Sequence, residues 1–379
     1  MNELKRLHRV TRRQFLRLTG MGLLGFTGAE LLAACGPAAT EAPAATAAAT
    51  SAPTAVPTLA PTAEPTAIPR WTARVALEEA AVPGFDEMPQ VWAQRSGFYA
   101  EHGIDLEITE TGGGAAVAVE PFQLLLSERI DFADVLFPAG FEAILDGAPL
   151  KGLGTFHSGG RYGYWMVVQN DIQSWSDLVG RKYVISSPGG PPDGIGRYAM
   201  AKYGVPVDQV EIVPLGGSSA RKQALLAGQV DAALIHPLDA LTLIRDNPTV
   251  HVLSDLADAS LLFGVDVTFA KDLEERRDMI VAYTKASILA VRAFIDDRDL
   301  AVQAYLDVVP ETNREDLETV WQDYVTRGVW EPNGGTNREL YEATMDAYVA
   351  IGALPARVEW DDFMDSSIVD EVLDEIGRR

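Results

Sequence analysis

Between residues 71 and 270, short apolar runs alternate with segments in which apolar side chains return every third or fourth position. The runs "RVALEE", "IDLEIT", "IDFADVLF", "KYVISS", "VEIVPL" and "VDAALIHP" have the length and β-branched content of strands. Between them, "MPQVWAQRSGFYAEHG", "PFQLLLSE", "GRYAMAKYG" and "SARKQALLAG" carry their apolar residues on one helical face. Strands separated by helices return to their sheet in the same direction, so the order predicts an α/β body with parallel sheets. Beyond about residue 270 the texture changes to long amphipathic helices such as "RRDMIVAYTKASILAVRAFID" and "NREDLETVWQDYV".

One pattern occurs twice. "LLLSERIDFADVLF" and "ALLAGQVDAALIHP" share a helix, a turn, an apolar residue, an aspartate and a strand, with Asp131 and Asp231 heading the two strands. The echo predicts two similar lobes, each closing a βαβ unit with the same device.

The segment ahead of this body has no such periodicity. Residues 36–69 are mostly Ala, Thr and Pro with almost no charge and no aromatic ring, too little apolar surface to offset the entropy of ordering. They read as a disordered spacer. Upstream, Arg12 and Arg13 precede an apolar stretch from Leu18 to Leu32, too short to span a bilayer, and "LLAAC" follows. This order resembles a twin-arginine-type export signal ending in a lipobox. The resemblance implies cleavage after residue 34 and lipid on Cys35. Cys35 is the only cysteine, so an intramolecular disulfide is excluded. Each buried lipid CH₂ contributes about 0.8 kcal/mol, enough for two or three chains to moor a protein without a spanning helix.

Charge narrows the function. Removal of residues 1–34 takes away six basic and two acidic side chains, moving the formal net charge from −23 to −27. So acidic a body is unsuited to nucleic acid, which rewards Lys and Arg stripes. His102, His157, His236 and His251 are scattered without metal-ligand spacing, and no G-x-S-x-G elbow or Walker-type lysine is present. No metal, cofactor or catalytic residue is expected.

The motifs combine into a family resemblance. Gly97-Phe98 after a helix, then Gly103-Ile104-Asp105 with Glu107, the run Gly112–Gly114 and "IDFAD" resemble the first lobe of the NMT1/THI5-like and nitrate/sulfonate/taurine group of solute-binding proteins. "SDLVGRKYVIS" and "LLAGQVDAALIHP" resemble its second lobe. The resemblance covers residues 71–270 well and the C-terminal helices loosely. It implies a two-lobed periplasmic-binding-protein-like fold of type II with two crossovers. Lobe 1 would be residues 71–160 plus 261–379, and lobe 2 residues 161–260. It also implies a monomeric body that delivers a small-molecule ligand to ABC permease and ATPase subunits. The pyrimidine synthases that share this fold have a site rich in cysteine and histidine, and this body has no cysteine.

Ligands of open α/β sheets sit beyond the carboxyl ends of the strands. In lobe 1 that rule selects Phe85, Trp92, Gly113, Gly114 and Phe137, and in lobe 2 Ser187, Gly189, Gly190, Asp193, Gly217, Ser218, His236 and Asp239. Tyr162, Tyr164 and Asp266 stand near the crossovers, while Trp165 inside "YWMVV" reads as core. Glycine-rich turns before helices present N–H groups to an anion, or serve only as turns. Acids outnumber bases in these loops: Asp86, Glu87, Asp193, Asp239 and Asp266 against Arg161 and Arg221. Rings are frequent there too. The balance favours a flat heteroaromatic solute over a small anion. For the first the family resemblance suggests riboflavin or a thiamine-precursor pyrimidine, and for the alternative a sulfonate, taurine or nitrate.

Overall fold

The computed structural model describes residues 69–78, 84–111, 120–156, 161, 163–259, 261–335 and 337–379. The expected leader, Cys35, Gly113, Gly114, His157 and Tyr162 lie outside the described residues. The strands run in chain order as β1 (Trp71–Glu78), β2 (Ile104–Thr111), β3 (Ala133–Leu136), β4 (Leu150–Gly154) and β5 (Trp165–Gln169). They continue as β6 (Lys182–Ile185), β7 (Glu211–Pro214), β8 (Ala232–Ile235), β9 (Val250–Ser254) and β10 (Gly264–Phe269).

These strands assemble twice in one order. β7-β6-β8-β5-β9 form one sheet, while β1-β2 and β3-β10-β4 are bridged by Val75 and Phe132 into the order β2-β1-β3-β10-β4. Within each set the first two strands are parallel. The expectation of parallel sheets is corrected at the fourth position: β10 runs antiparallel to β3 and β4, and β5 antiparallel to β8 and β9. The reason is connectivity. β5 and β10 do not return over a helix of their own sheet; each arrives from the other sheet through a crossover, residues 155–164 and 255–263.

Asp131 and Asp231 are the shared device. The Asp131 N–H donates to Arg74 O at 2.7 Å, and the Arg74 N–H donates back to Asp131 Oδ2 at 2.8 Å. The Asp231 N–H and Lys182 O repeat the first bond at 2.8 Å, and the Lys182 N–H and Asp231 Oδ2 repeat the second at 2.8 Å. Each aspartate thus clips the start of the third strand to the first. The copies differ in ion pairing: Asp131 holds Arg74 and Arg276 at 2.6 and 2.5 Å, whereas Asp231 holds Arg181 at 3.3 Å.

Helices cover the sheets. The expected helix over residues 88–103 is two, Met88–Arg95 and Phe98–Glu101, because Gly97 adopts φ +83 and turns the chain. The C-terminal portion is helical as expected, with Arg277–Asp296, Arg298–Leu306, Arg314–Arg327, Arg338–Ala350 and Ser367–Ile376. Asp297, Asn313 and Asn337 cap three of them through their side chains. Helix Pro191–Lys202 contains Gly194 and Gly196, each costing about 1 kcal/mol relative to alanine. Both have a steric reason: a Cβ on Gly196 would strike the Tyr183 hydroxyl, and one on Gly194 would lie 2.8 Å from Pro138 Cδ. The largest apolar cluster runs from Val135 and Phe137 through Met166, Tyr183 and Ile195 to Tyr341, Met345 and Tyr348. Helix Arg338–Ala350 sets Tyr348 against both Phe137 and Gly194 of helix Pro191–Lys202, and its Thr344 Oγ1 accepts the Leu262 N–H of the second crossover at 3.0 Å.

Candidate functional site

His236 follows β8 directly, where Pro237 ends the strand and opens helix Pro237–Asp246. Trp165 pairs with Ile235 across β5 and β8, which seats Tyr164 beside His236 with ring centroids 4.2 Å apart. Asp239, in the first turn of the same helix, accepts Lys222 Nζ at 2.6 Å. Asp86 comes from the other set of strands, in the turn between β1 and helix Met88–Arg95. Its backbone is fixed by Trp330, whose indole N–H donates to Asp86 O at 2.9 Å.

Asp86 and His236 carry the unusual chemistry. Asp86 is buried, and its Oδ1 has no hydrogen-bond partner. His236 is half-buried as a residue, but its Nδ1 is enclosed and has no partner. Burial pushes the Asp86 carboxyl up, and His236 opposes that shift. Burial pushes the His236 imidazole down, opposed by Asp86 and Asp239 and reinforced by Arg221 and Lys222. A buried polar atom without a partner is rare in a folded protein, and here two belong to residues near enough for the charge of each to act on the other.

Aromatic rings wall the Asp86 side. Phe85 stands 5.4 Å from Tyr305, 5.9 Å from Tyr324 and 5.3 Å from Trp330. Burial raises the Tyr305 phenol to about 12, with added contributions from Asp239 and Asp86. Burial also raises Tyr324, and Asp86 adds to it. In the second sheet's half Arg221 is buried, donating to Gly216 O at 2.8 Å and to Ser218 Oγ at 3.3 Å. Its Nε is enclosed without a partner. Gly217 caps helix Ser218–Leu226 immediately before it.

The expected turn Ser187–Asp193 forms the rim of the second sheet. Gly190 N–H donates to Ser187 O at 3.1 Å, Gly189 N–H to Asp193 Oδ2 at 2.9 Å, and Arg197 Nε to Asp193 Oδ1 at 2.5 Å. Ala139 N–H reaches over from the first set to Gly189 O at 3.2 Å.

Three expected residues are placed elsewhere. Trp92 packs between Phe98 at 5.1 Å and Phe294 at 5.6 Å, in the helical layer. Phe137 is buried and stacks on Phe141 at 3.8 Å and Tyr348 at 5.6 Å. Asp266 lies inside the wholly buried β10, where its carboxylate accepts the Phe156 N–H at 2.7 Å and fixes the start of the first crossover. All three stand near strand ends or crossovers in the sequence; in the structure Phe137 and Asp266 are buried and Trp92 is half-buried. Conversely, Tyr305 and Tyr324, which pack on Phe85, gave no signal, since helical periodicity looks alike for rings that line a site and rings that fill a core.

A cavity of about 330 Å³ lies between the crossovers and the C-terminal helices, lined by Arg161, Leu262, Arg327, Glu331, Asn337 and Leu340 among others. It does not include Asp86 or His236. The loops after β1 and β2, residues 79–83 and 112–119, lie outside the described residues. Among the described residues no group of three or more His, Cys, Asp or Glu is placed to hold a metal, and no helix is long and apolar enough to cross a membrane.

Residues 85–301, more than half of the chain, match the family model described as NMT1/THI5 like. A Bacillus subtilis protein described as "Putative binding protein YtlA" is 21% identical over 294 residues, 76% of this chain and 86% of that protein. Among solved structures, the periplasmic nitrate-binding protein NrtA from Synechocystis PCC 6803 superposes with a TM-score of 0.64 at 15% identity, covering 81% of this chain and 89% of that one. The alkanesulfonate-binding protein SsuA from Xanthomonas axonopodis pv. citri, bound to MOPS, gives 0.60 at 17% identity, covering 79% and 99%. The repeated sheet order, the two crossovers and these matches together establish that the chain has the two-lobed fold of periplasmic binding proteins and belongs to the NMT1/THI5-like family.

Proposed function

We propose that this protein is the solute-binding component of an ABC importer, moored outside the membrane by a lipid on Cys35, and that its guest is a flat, polar heteroaromatic molecule. Residues 71–160 with 261–379 form one lobe and residues 161–260 the other. The lobes close on the guest and present it to permease and ATPase subunits. The role is capture and delivery, not catalysis.

The pairing of Asp86 with His236 carries the reading. An aminopyrimidine or a flavin offers N–H donors beside ring-nitrogen acceptors on one edge. That edge would satisfy Asp86 Oδ1 and His236 Nδ1 together, while Tyr164 and the Phe85 cluster meet its faces. Hydrogen bonds to charged partners contribute about 1.5–3 kcal/mol each, so two bonds made only in the closed form supply the differential affinity that closure requires. A small anion would instead meet the Asp86 carboxyl. One observation favours an anion, in line with the nitrate and sulfonate binders that share the fold: the unpartnered Nε of buried Arg221 at the start of helix Ser218–Leu226.

The test is calorimetric titration of the compact unit Pro65–Arg379 with riboflavin, an aminopyrimidine, nitrate and an alkanesulfonate. Binding of a heteroaromatic compound, lost in Asp86→Ala, supports the proposal. Binding of the anions alone, lost in Arg221→Ala, overturns it in favour of the second reading.

A further inference from the structure

We infer that Gly194, with Gly189 beside it, sets how far the two lobes close. The inference rests on the two-lobe reading above and adds to it a residue that governs affinity without touching the guest.

Gly194 lies on helix Pro191–Lys202 of the second lobe and meets Pro138 and Tyr348 of the first. A Cβ at this position would stand 2.8 Å from Pro138 Cδ and 2.9 Å from Tyr348 Cε1, closer than side chains tolerate. Neither partner can swing aside. The Pro138 ring is part of the backbone, and Tyr348 is fully buried with its ring stacked on Phe137. A Cβ on Gly189 would likewise come within 3.3 Å of the Ala139 Cβ. Asp193 accepts the Gly189 N–H at 2.9 Å, so the turn and the helix start move as one piece. The bond from Ala139 N–H to Gly189 O, at 3.2 Å, joins that piece to the other lobe.

An added methyl group at residue 194 is therefore relieved by separation of the lobes, because the side chains around it have nowhere to go. Apparent affinity falls in proportion to the fraction of molecules able to close. The glycine also weakens its own helix, which makes its presence at a crossing between lobes informative.

The experiment uses the full chain with Cys35→Ser and the pair Ala139→Cys and Gly189→Cys, whose Cβ atoms lie close to the roughly 3.5–4.5 Å of a disulfide. Oxidation by diamide is followed on a gel, with circular dichroism confirming the fold. Cross-linking of the parent pair is expected, slowed at least fivefold by Gly194→Ala. Equal rates with and without Gly194→Ala overturn the inference. A parent pair that never cross-links instead removes the lobe contact itself, and with it the two-lobe reading beneath. Should Gly194→Ala not fold, Ala139→Met, which fills the same seam from the other lobe, takes its place in small-angle scattering. A larger radius of gyration than the unaltered chain is expected, and an unchanged radius overturns the inference.

Discussion

Asp86 and His236 bring an unpartnered carboxyl oxygen and an unpartnered imidazole nitrogen to one place from opposite sheets, and the charge on each shifts the protonation of the other. Their effects on stability have opposite signs. His236 is lowered from its ordinary 6.5, so the unfolded chain takes up the proton first, and stability falls as pH drops from about 6.5 towards the depressed value. Asp86 is raised from 3.8, so its contribution is present in acid and is lost as pH rises through its raised value. Asp86→Asn removes the carboxylate that favours imidazolium. A ring-carbon chemical-shift titration of His236 should then show a lower pKa than in the unaltered protein, and an unchanged or higher one would contradict the pairing.

The two aspartate clips differ in what they hold. Replacing Asp131 by Asn removes charge-assisted bonds to Arg74 and Arg276, each about 1.5–3 kcal/mol before allowance for guanidinium groups that stay about a third exposed. Urea unfolding should show Asp131→Asn costing more than Asp231→Asn, whose carboxylate is more exposed and has one longer ion pair. Although burial pushes the Asp131 carboxyl up, its bonds to Arg74 and Arg276 outweigh that and hold it below 3.8. Its contribution is present above the ordinary carboxylate range and is lost as pH falls through the depressed value, so Asp131→Asn should flatten the acid limb of the stability curve.

Trp92 should matter to stability and not to capture. Its ring is clasped by Phe98 and Phe294, so Trp92→Ala should cost about 2 kcal/mol, less than a fully buried tryptophan because it is only half-buried. Solute affinity should change less than threefold. A tenfold loss of affinity at unaltered stability would return Trp92 to the cleft.

Cys35 supplies the remaining test. Cys35→Ala should move the protein from the membrane fraction to the soluble extracytoplasmic fraction, and a variant that stays in the membrane pellet would refute the anchor.

Much of the fold was legible because its signals are local. Asp131 and Asp231 stand at matching points of two helix-turn-strand units, and spacing alone revealed the echo. Strand direction is not local: nothing in "WMVVQ" or "GVDVTF" says that the strand enters from the other lobe, so antiparallel β5 and β10 were missed. Residues that a motif places at a strand end, such as His236 and Ser187, could be located from sequence, and the structure puts them at the ends of β8 and β6. The rings that pack on Phe85 from helices far along the chain, Tyr305 and Tyr324, could not be located that way, since nothing local pairs them with residue 85. Asp266 drew attention as a polar residue among buried ones, and the structure gives its carboxylate a structural bond to the Phe156 N–H that spacing along the chain does not reveal.

The interlacing of the strands fixes an order of completion on the ribosome. Every strand of the second sheet lies between Trp165 and Ser254, so that half can finish as soon as its own residues emerge. The first sheet waits for β10, which is threaded between β3 and β4 after the whole of its sister has been translated. Until then β3 and β4 have no partner between them, and a nascent chain stalled near residue 260 would expose that gap to chaperones or proteases.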